Sequence, residues 1–242
     1  MGTTSDSAHR RVEHAAVGAL LDFGAWPQSP DATGPEPIRW RVLDRSGDTV
    51  LLLSDRVLDC RRYHRDTTVT TWRDCDLRAW LNGEFLTTAF GDAERGRLEP
   101  VTCTGNGDGS PDTVDRVFLL SVEEVRALTD PRGDGPRRRR ATGTAVARAP
   151  KPDGCRLYVY DKGVERDYLV EDGERRGCSW WWTRTRTVPG DGRAPRAAFV
   201  GPRGDVKTYG RVDLACYGVR PALRLRVAGA GAADAADAVH RA

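Results

Sequence analysis

The chain has 242 residues, 39% of them hydrophobic and 30% charged, with seven Trp, enough to bury a real core as one large domain or two small ones. The net charge of +3 is carried almost wholly by arginine, with Lys only at 151, 162 and 207; it falls well short of the concentrated positive charge that marks a nucleic-acid binder. No apolar run reaches signal-peptide or membrane-spanning length, so a cytoplasmic protein without membrane contact is expected.

Residues 1–16 read as a polar, flexible leader. Residues 20–26 form a first strand ended by Pro27, and 30–37 a loop. Ile38, Trp40 and Val42 then alternate with Arg39 and Arg41, the period-two pattern of a strand with one buried face. Ser46-Gly47-Asp48 turns the chain into an all-apolar strand at 49–53, which completes a β-hairpin. After a polar loop through Thr71 the period changes. Leu77, Trp80, Leu81 and Phe85 lie at i, i+3, i+4 and i+8, one face of a helix with Asp76 as its N-cap.

A second short helix is expected at 92–98, stopped by Pro100, and a Gly- and Asp-rich loop at 104–111. A strand at 115–120 leads into Ser121-Val122-Glu123-Glu124, a capping box that opens a helix with Val122, Val125 and Leu128 inward. Arg137 to Arg140 read as a solvated loop, and residues 141–149 as a brief helix. Residues 157–170 are expected to form a hairpin turning at Asp161-Lys162-Gly163, and 197–200 with 206–209 another. Leu223, Leu225 and Val227 alternate with Arg224 and Arg226 in a last strand, beyond which residues 229–242 read as a disordered tail. The six cysteines lack CxxC spacing and read as small buried hydrophobes rather than disulfides.

Several motifs carry a resemblance. Pro37-Ile38-Arg39-Trp40-Arg41-Val42-Leu43-Asp44, Leu58-Asp59-Cys60-Arg61, Leu77-Arg78-Ala79-Trp80-Leu81-Asn82, Val117-Phe118-Leu119-Leu120-Ser121, Trp180-Trp181-Trp182-Thr183-Arg184 and Gly218-Val219-Arg220-Pro221-Ala222-Leu223 follow one another in the chain. From about Val17 to Val227 this series resembles the bacterial family of unknown function DUF6273. The ending of that family is similar in turn to C-type-lectin-like folds, including the formylglycine-generating group. The resemblance implies a single α+β, C-type-lectin-like domain over residues 17–228, with antiparallel hairpins, two or three helices and long loops. This chain departs from the family pattern in its longer segments at 130–140 and 155–176, and in Pro202, Arg203 and Lys207 on the late hairpin.

Two functional expectations follow. Formylglycine-generating enzymes hold copper with two cysteines between the Trp-rich and closing motifs. Here residues 179–215 contain none, and only Cys178 and Cys216 flank the interval, so a metal-dependent oxidoreductase with a rearranged Cys178/Cys216 thiolate pair is the alternative. No G-x-S-x-G elbow or Walker loop occurs, and His64 is the only histidine of the expected domain, so triad and His-metal schemes lack partners. The favoured expectation is a non-catalytic binding module, without cofactor or resident metal, for a protein or a small polar ligand. In a strand Trp180 and Trp182 share one face and Trp181 takes the other. Trp181, Arg184, Arg203, Tyr209 and Tyr217 are the expected ligand contacts, aromatic area beside fork-shaped donors. If the three Trp are all core, Arg220 is expected to be buried in a salt bridge to a carboxylate such as Asp205 or Asp213.

Overall fold

The computed structural model describes residues 15–128, 138–158, 167–171, 173–188 and 194–227. In chain order the strands are β1 (Leu20–Trp26), β2 (Glu36–Ser46), β3 (Thr49–Ser54), β4 (Asp59–Cys60), β5 (Leu98–Glu99), β6 (Val101–Cys103), β7 (Thr113–Asp115), β8 (Val117–Phe118), β9 (Tyr168–Glu171), β10 (Glu174–Gly177), β11 (Trp181–Thr187), β12 (Arg196–Val200), β13 (Val206–Arg211), β14 (Gly218–Val219) and β15 (Ala222–Arg226). The α-helices are α1 (Asp76–Trp80), α2 (Leu86–Ala89), α3 (Asp92–Arg95), α4 (Val122–Leu128) and α5 (Ala145–Arg148).

Two curled sheets dominate. The first runs β1-β2-β3-β15-β5 with β8 also on β15, and the second runs β13-β12-β11-β14-β4. Alternation on β2 holds: Ile38, Trp40 and Val42 are fully buried, and Pro37 and Arg39 are exposed. β3 is buried along its length from Val50 to Ser54 because it lies between β2 and β15 with both faces covered. The indole N–H of Trp40 donates to Phe23 O at 2.7 Å, which satisfies the one polar atom of a buried ring.

The expectation of an α+β, C-type-lectin-like domain is corrected here. The fold is mostly β, with curled antiparallel sheets and half-barrels, and the longest helical run among the described residues is 76–89, where α1 and α2 join through a π-helical turn. The amphipathic stretch is helical as expected, with Leu77, Trp80, Leu81 and Phe85 buried, but its cap and its turns differ from a regular α-helix. Cys75, not Asp76, caps α1, its sulfur accepting from Arg78 N at 3.4 Å. Leu81–Phe85 widens into a π-helical turn, and Phe90 is extended, ending α2. Within the wide turn Asn82 grips the neighbouring chain, donating to Val117 O at 2.9 Å and accepting from Arg116 N at 3.0 Å. The expected helix at 92–98 stops at Arg95, because Leu98 and Glu99 join the first sheet opposite Arg224 and Leu225. Residues 159–166, which hold the expected turn of the 157–170 hairpin, lie outside the described residues, as do the leader up to residue 14 and the tail from 228. Tyr168–Glu171 pairs forward with β10. Part of Arg137 to Arg140 is described: Arg140 donates to Tyr168 O at 2.7 Å, so that residue belongs to the framework.

The two sheets are joined by two chain segments that cross side by side. Between β3 and β4, and between β14 and β15, the chain passes from one sheet to the other, with Leu58 N donating to Val219 O and Ser54 N to Pro221 O, both at 2.9 Å. Arg220 is buried at this crossing. It donates to Ser54 O at 2.7 Å and to Asp55 O and Arg139 O at 3.4 Å, and its guanidinium sits 5.2 Å from the Trp181 ring centroid. The expected ion pair is absent, since Asp205 pairs with Lys207 and Asp213 with Arg211. Burial lowers the Arg220 pKa to about 10, with Asp55 acting in the opposite direction.

Candidate functional site

The Trp-rich segment enters the second sheet as its middle strand, with β12 on one side and β14 on the other. Trp181 and Trp182 are both fully buried, and Trp180, just before β11, is only half-buried. Trp181 donates to Arg139 O and Trp182 to Arg61 O, each at 3.0 Å. Trp182 is core, whereas Trp181, expected as a ligand contact, is buried and Trp180 is partly open. β11 has side chains packed on both faces, so Trp181 has no path to solvent, whereas Trp180 lies where the strand begins.

Arg184 is 1% exposed, and its guanidinium ties three segments together. It donates to Asn106 Oδ1 at 2.8 Å, to Leu119 O at 2.7 Å and to Thr104 O at 2.6 Å, and it forks onto Glu124 at 2.5 and 3.0 Å. Glu124 also closes the capping box of α4: its carboxylate accepts from Ser121 N at 2.8 Å, and Ser121 Oγ accepts from Glu124 N at 3.1 Å. Arg184 is therefore a structural ion and not a ligand contact. Asn106 holds the Gly-rich loop against β11, with Arg186 N donating to its carbonyl at 2.8 Å. Gly107, at φ +90°, is pressed to the same strand, and a Cβ there would lie 2.6 Å from Arg186 N. Gly107→Ala is expected to lower stability by at least about 1–3 kcal/mol from the left-handed backbone alone. Gly34→Ala, with nothing within 4 Å, is the near-neutral control in denaturant unfolding.

The remaining expected contacts do not form one surface. Tyr217 is 3% exposed and packs 3.9 Å from Trp182 and 5.3 Å from Trp180 between ring centroids. Burial raises its pKa. Tyr209 is 57% exposed on the edge strand β13, its ring edge-on to Phe199. Arg203 pairs with the buried Asp167 at 3.1 Å. The Cys178/Cys216 pair is not assembled either. Cys178 is buried, its backbone N–H donating to Asp167 O at 2.8 Å, whereas Cys216 is half-buried and its carbonyl accepts from Tyr158 N at 2.9 Å. Among the described residues no group of three or more His, Cys, Asp or Glu is arranged to hold a metal.

What the fold does build beside the Trp-rich strand is an open cleft of about 530 Å3, lined by Ala145, Arg148 and Ala149 of α5 and its C-terminal edge, by Arg156, Leu157 and Tyr158, and by Cys216. Thr144 caps α5 by accepting from Ala147 N at 3.1 Å. Residues 156–158 are laid along the chain before β14, with Arg156 N donating to Ala215 O at 2.7 Å and Tyr158 N to Cys216 O at 2.9 Å. That pairing places the Tyr158 ring on Trp180, centroids 3.9 Å apart and planes within 18°, and Trp180 in turn on Tyr217. Arg148 is half-buried and Arg156 exposed on the same cleft. Only Trp180 and Cys216 drew attention in the sequence. The others lie in the brief helix expected at 141–149 and around the start of the hairpin expected at 157–170, and nothing in their spacing marks them as a site.

No helix among the described residues is long and apolar enough to cross a membrane. No curated protein and no solved structure matches the chain. The family model described as a domain of unknown function, DUF6273, matches residues 47–227. The match begins in the turn between β2 and β3 rather than near Val17, although β1 and β2 complete the same sheet. A match across well over half of the sequence, ending with β15, makes this chain a member of the DUF6273 family.

Proposed function

We propose that the domain is a non-catalytic binding module whose ligand is a small anion carrying a planar ring, held in the cleft between α5 and the chain before β14. The observation that supports this most is the Tyr158–Trp180 stack, opening on a cleft whose polar lining includes two arginines. Stacked rings offer a rigid flat surface at low entropic cost, and guanidinium forks fit carboxylate or phosphate oxygens in pairs. A volume of about 530 Å3 is the size of a metabolite site. The binding role expected from the sequence is kept, and the surface is moved from the late hairpin to this cleft.

Calorimetric titration with a nucleoside monophosphate, the uncharged nucleoside and inorganic phosphate tests the reading. Binding of the monophosphate is expected, with weaker binding of either half alone. Arg148→Ala with Arg156→Ala should weaken it by at least tenfold, about 1.4 kcal/mol, because charge-assisted hydrogen bonds are lost. Equal binding by the double variant at an unchanged melting temperature, or no binding of any of the three at millimolar concentration, refutes the site.

A further inference from the structure

The segment that brings Arg156 and Tyr158 to the cleft is irregular chain and belongs to none of the strands. Its burial nevertheless alternates, with Cys155 and Leu157 covered and Arg156 exposed between them, as in extended chain with one face packed. Leu157 is 4% exposed and enters a socket between two glycines. A Cβ on Gly143 would lie 2.6 Å from Leu157 Cδ2, and one on Gly218 would lie 3.1 Å from Leu157 Cδ1. Neither glycine has a left-handed φ, so the backbone does not call for glycine at either position. The missing side chains leave room instead, and Leu157 fills it.

Both walls of the socket are fixed. Gly143 is held against Val57, with Val57 N donating to Thr142 O at 2.9 Å and Thr144 N to Val57 O at 3.0 Å. Gly218 N donates to Trp180 O at 2.8 Å, which ties the other wall to the residue whose ring Tyr158 covers. Gly143 also abuts the stem of Arg148, since its Cβ would lie 3.0 Å from Arg148 Cγ. The socket therefore lies behind the cleft and touches both of its sides, α5 with Arg148 and the segment with Arg156 and Tyr158.

We propose that Leu157 is a positioning residue for the ligand cleft: seated between Gly143 and Gly218, it sets Tyr158 on Trp180 and Arg156 on the side facing Arg148. Its role in binding rests on the reading of the cleft given above. The two backbone hydrogen bonds to 215–216 fix the register of the segment, and Leu157 fixes its depth. The aromatic and cationic parts of the cleft are thereby assembled before a ligand arrives, so that little ordering is left for the ligand to drive.

Fluorine NMR of the full chain labelled with 5-fluorotryptophan reads the stack directly, the Trp180 resonance being assigned by its loss in Trp180→Phe. Tyr158→Leu removes the covering ring and gives the shift of an uncovered Trp180. In Leu157→Ala the Trp180 resonance is expected at that uncovered position, with the resonances of the buried Trp40 and Trp72 where the parent has them. Leu157→Met, which keeps the volume, should hold the parent shift. Leu157→Ala should also bind the nucleoside monophosphate about tenfold more weakly than the parent, with Leu157→Met recovering most of the loss. A Trp180 resonance unmoved in folded Leu157→Ala overturns the proposal, as does undiminished binding by that variant. If the parent binds no monophosphate, the reading of the cleft falls, and the fluorine shift still decides whether Leu157 seats Tyr158. If Leu157→Ala fails to fold, Gly143→Ala, which narrows the socket from its other side, should give the uncovered Trp180 resonance, and the parent shift in that variant overturns the proposal.

Discussion

Arg184→Ala is expected to lower the free energy of unfolding by about 3–5 kcal/mol, because several acceptors lose their hydrogen bonds at about 1–3 kcal/mol for each one left buried and unsatisfied. The guanidinium is 1% exposed, and its removal leaves Glu124, Asn106 Oδ1, Leu119 O and Thr104 O facing a void at the junction of β11, α4 and the Gly-rich loop. Arg184→Lys should recover little. A single ammonium cannot reproduce the two-pronged contact with Glu124 while also reaching Asn106. Urea unfolding followed by circular dichroism measures the change. A midpoint within error of the parent would mean that Arg184 is a surface side chain, as the sequence pattern suggested, and that the junction is held some other way. Because Arg184 is buried, any loss of binding by this variant is a consequence of unfolding.

Trp182→Ala is expected to cost a similar amount, about 3–5 kcal/mol, through lost transfer energy and the cavity left behind. The ring is fully buried, edge-on to Tyr63 at 5.7 Å and against Tyr217 at 3.9 Å, and its N–H satisfies Arg61 O. Its neighbours cannot close the gap easily. Gly210 approaches Trp182 so nearly that a Cβ there would lie 2.6 Å from Cζ3, and Tyr63 is anchored through its hydroxyl to Arg184 O at 2.8 Å. Trp182→Phe, which keeps an aromatic ring but loses the N–H, should lose less. Because domains of this size are stable by only about 5–15 kcal/mol, the alanine variant should leave a measurable unfolded fraction near physiological temperature. An unchanged melting temperature for Trp182→Ala would show that β11 does not carry the core of the second sheet.

Much of the local structure was legible in the residues. β1, the β2–β3 hairpin, the capping box on α4 and the β12–β13 hairpin depend on interactions within a few positions: alternation along a strand, the Ser46-Gly47-Asp48 turn, the exchange between Ser121 and Glu124. Membership of the family was legible for a related reason, since the order of the Trp-rich and closing motifs survives in the chain whatever packs around them. The failed expectations about the binding residues depended on what covers a side chain from far away. Alternation places Trp181 opposite Trp180 and Trp182, but only the packing of Arg139 and Arg220 on that face buries it, while the start of β11 leaves Trp180 half open. The face of Arg184 is set by Glu124 and Asn106, some 60 and 78 residues away.

The end of the expected helix at 92–98 was likewise a tertiary matter. Leu98 and Glu99 are taken up by β15, so the helix that starts at Asp92 ends at Arg95, while Asn82 in the π-helical turn grips Arg116 and Val117. A sequence by itself determines periods, caps and turns, because those arise between neighbours. Which face is buried and which cations are structural are decided only when distant segments close on one another, because burial and pairing are properties of the partner as much as of the residue.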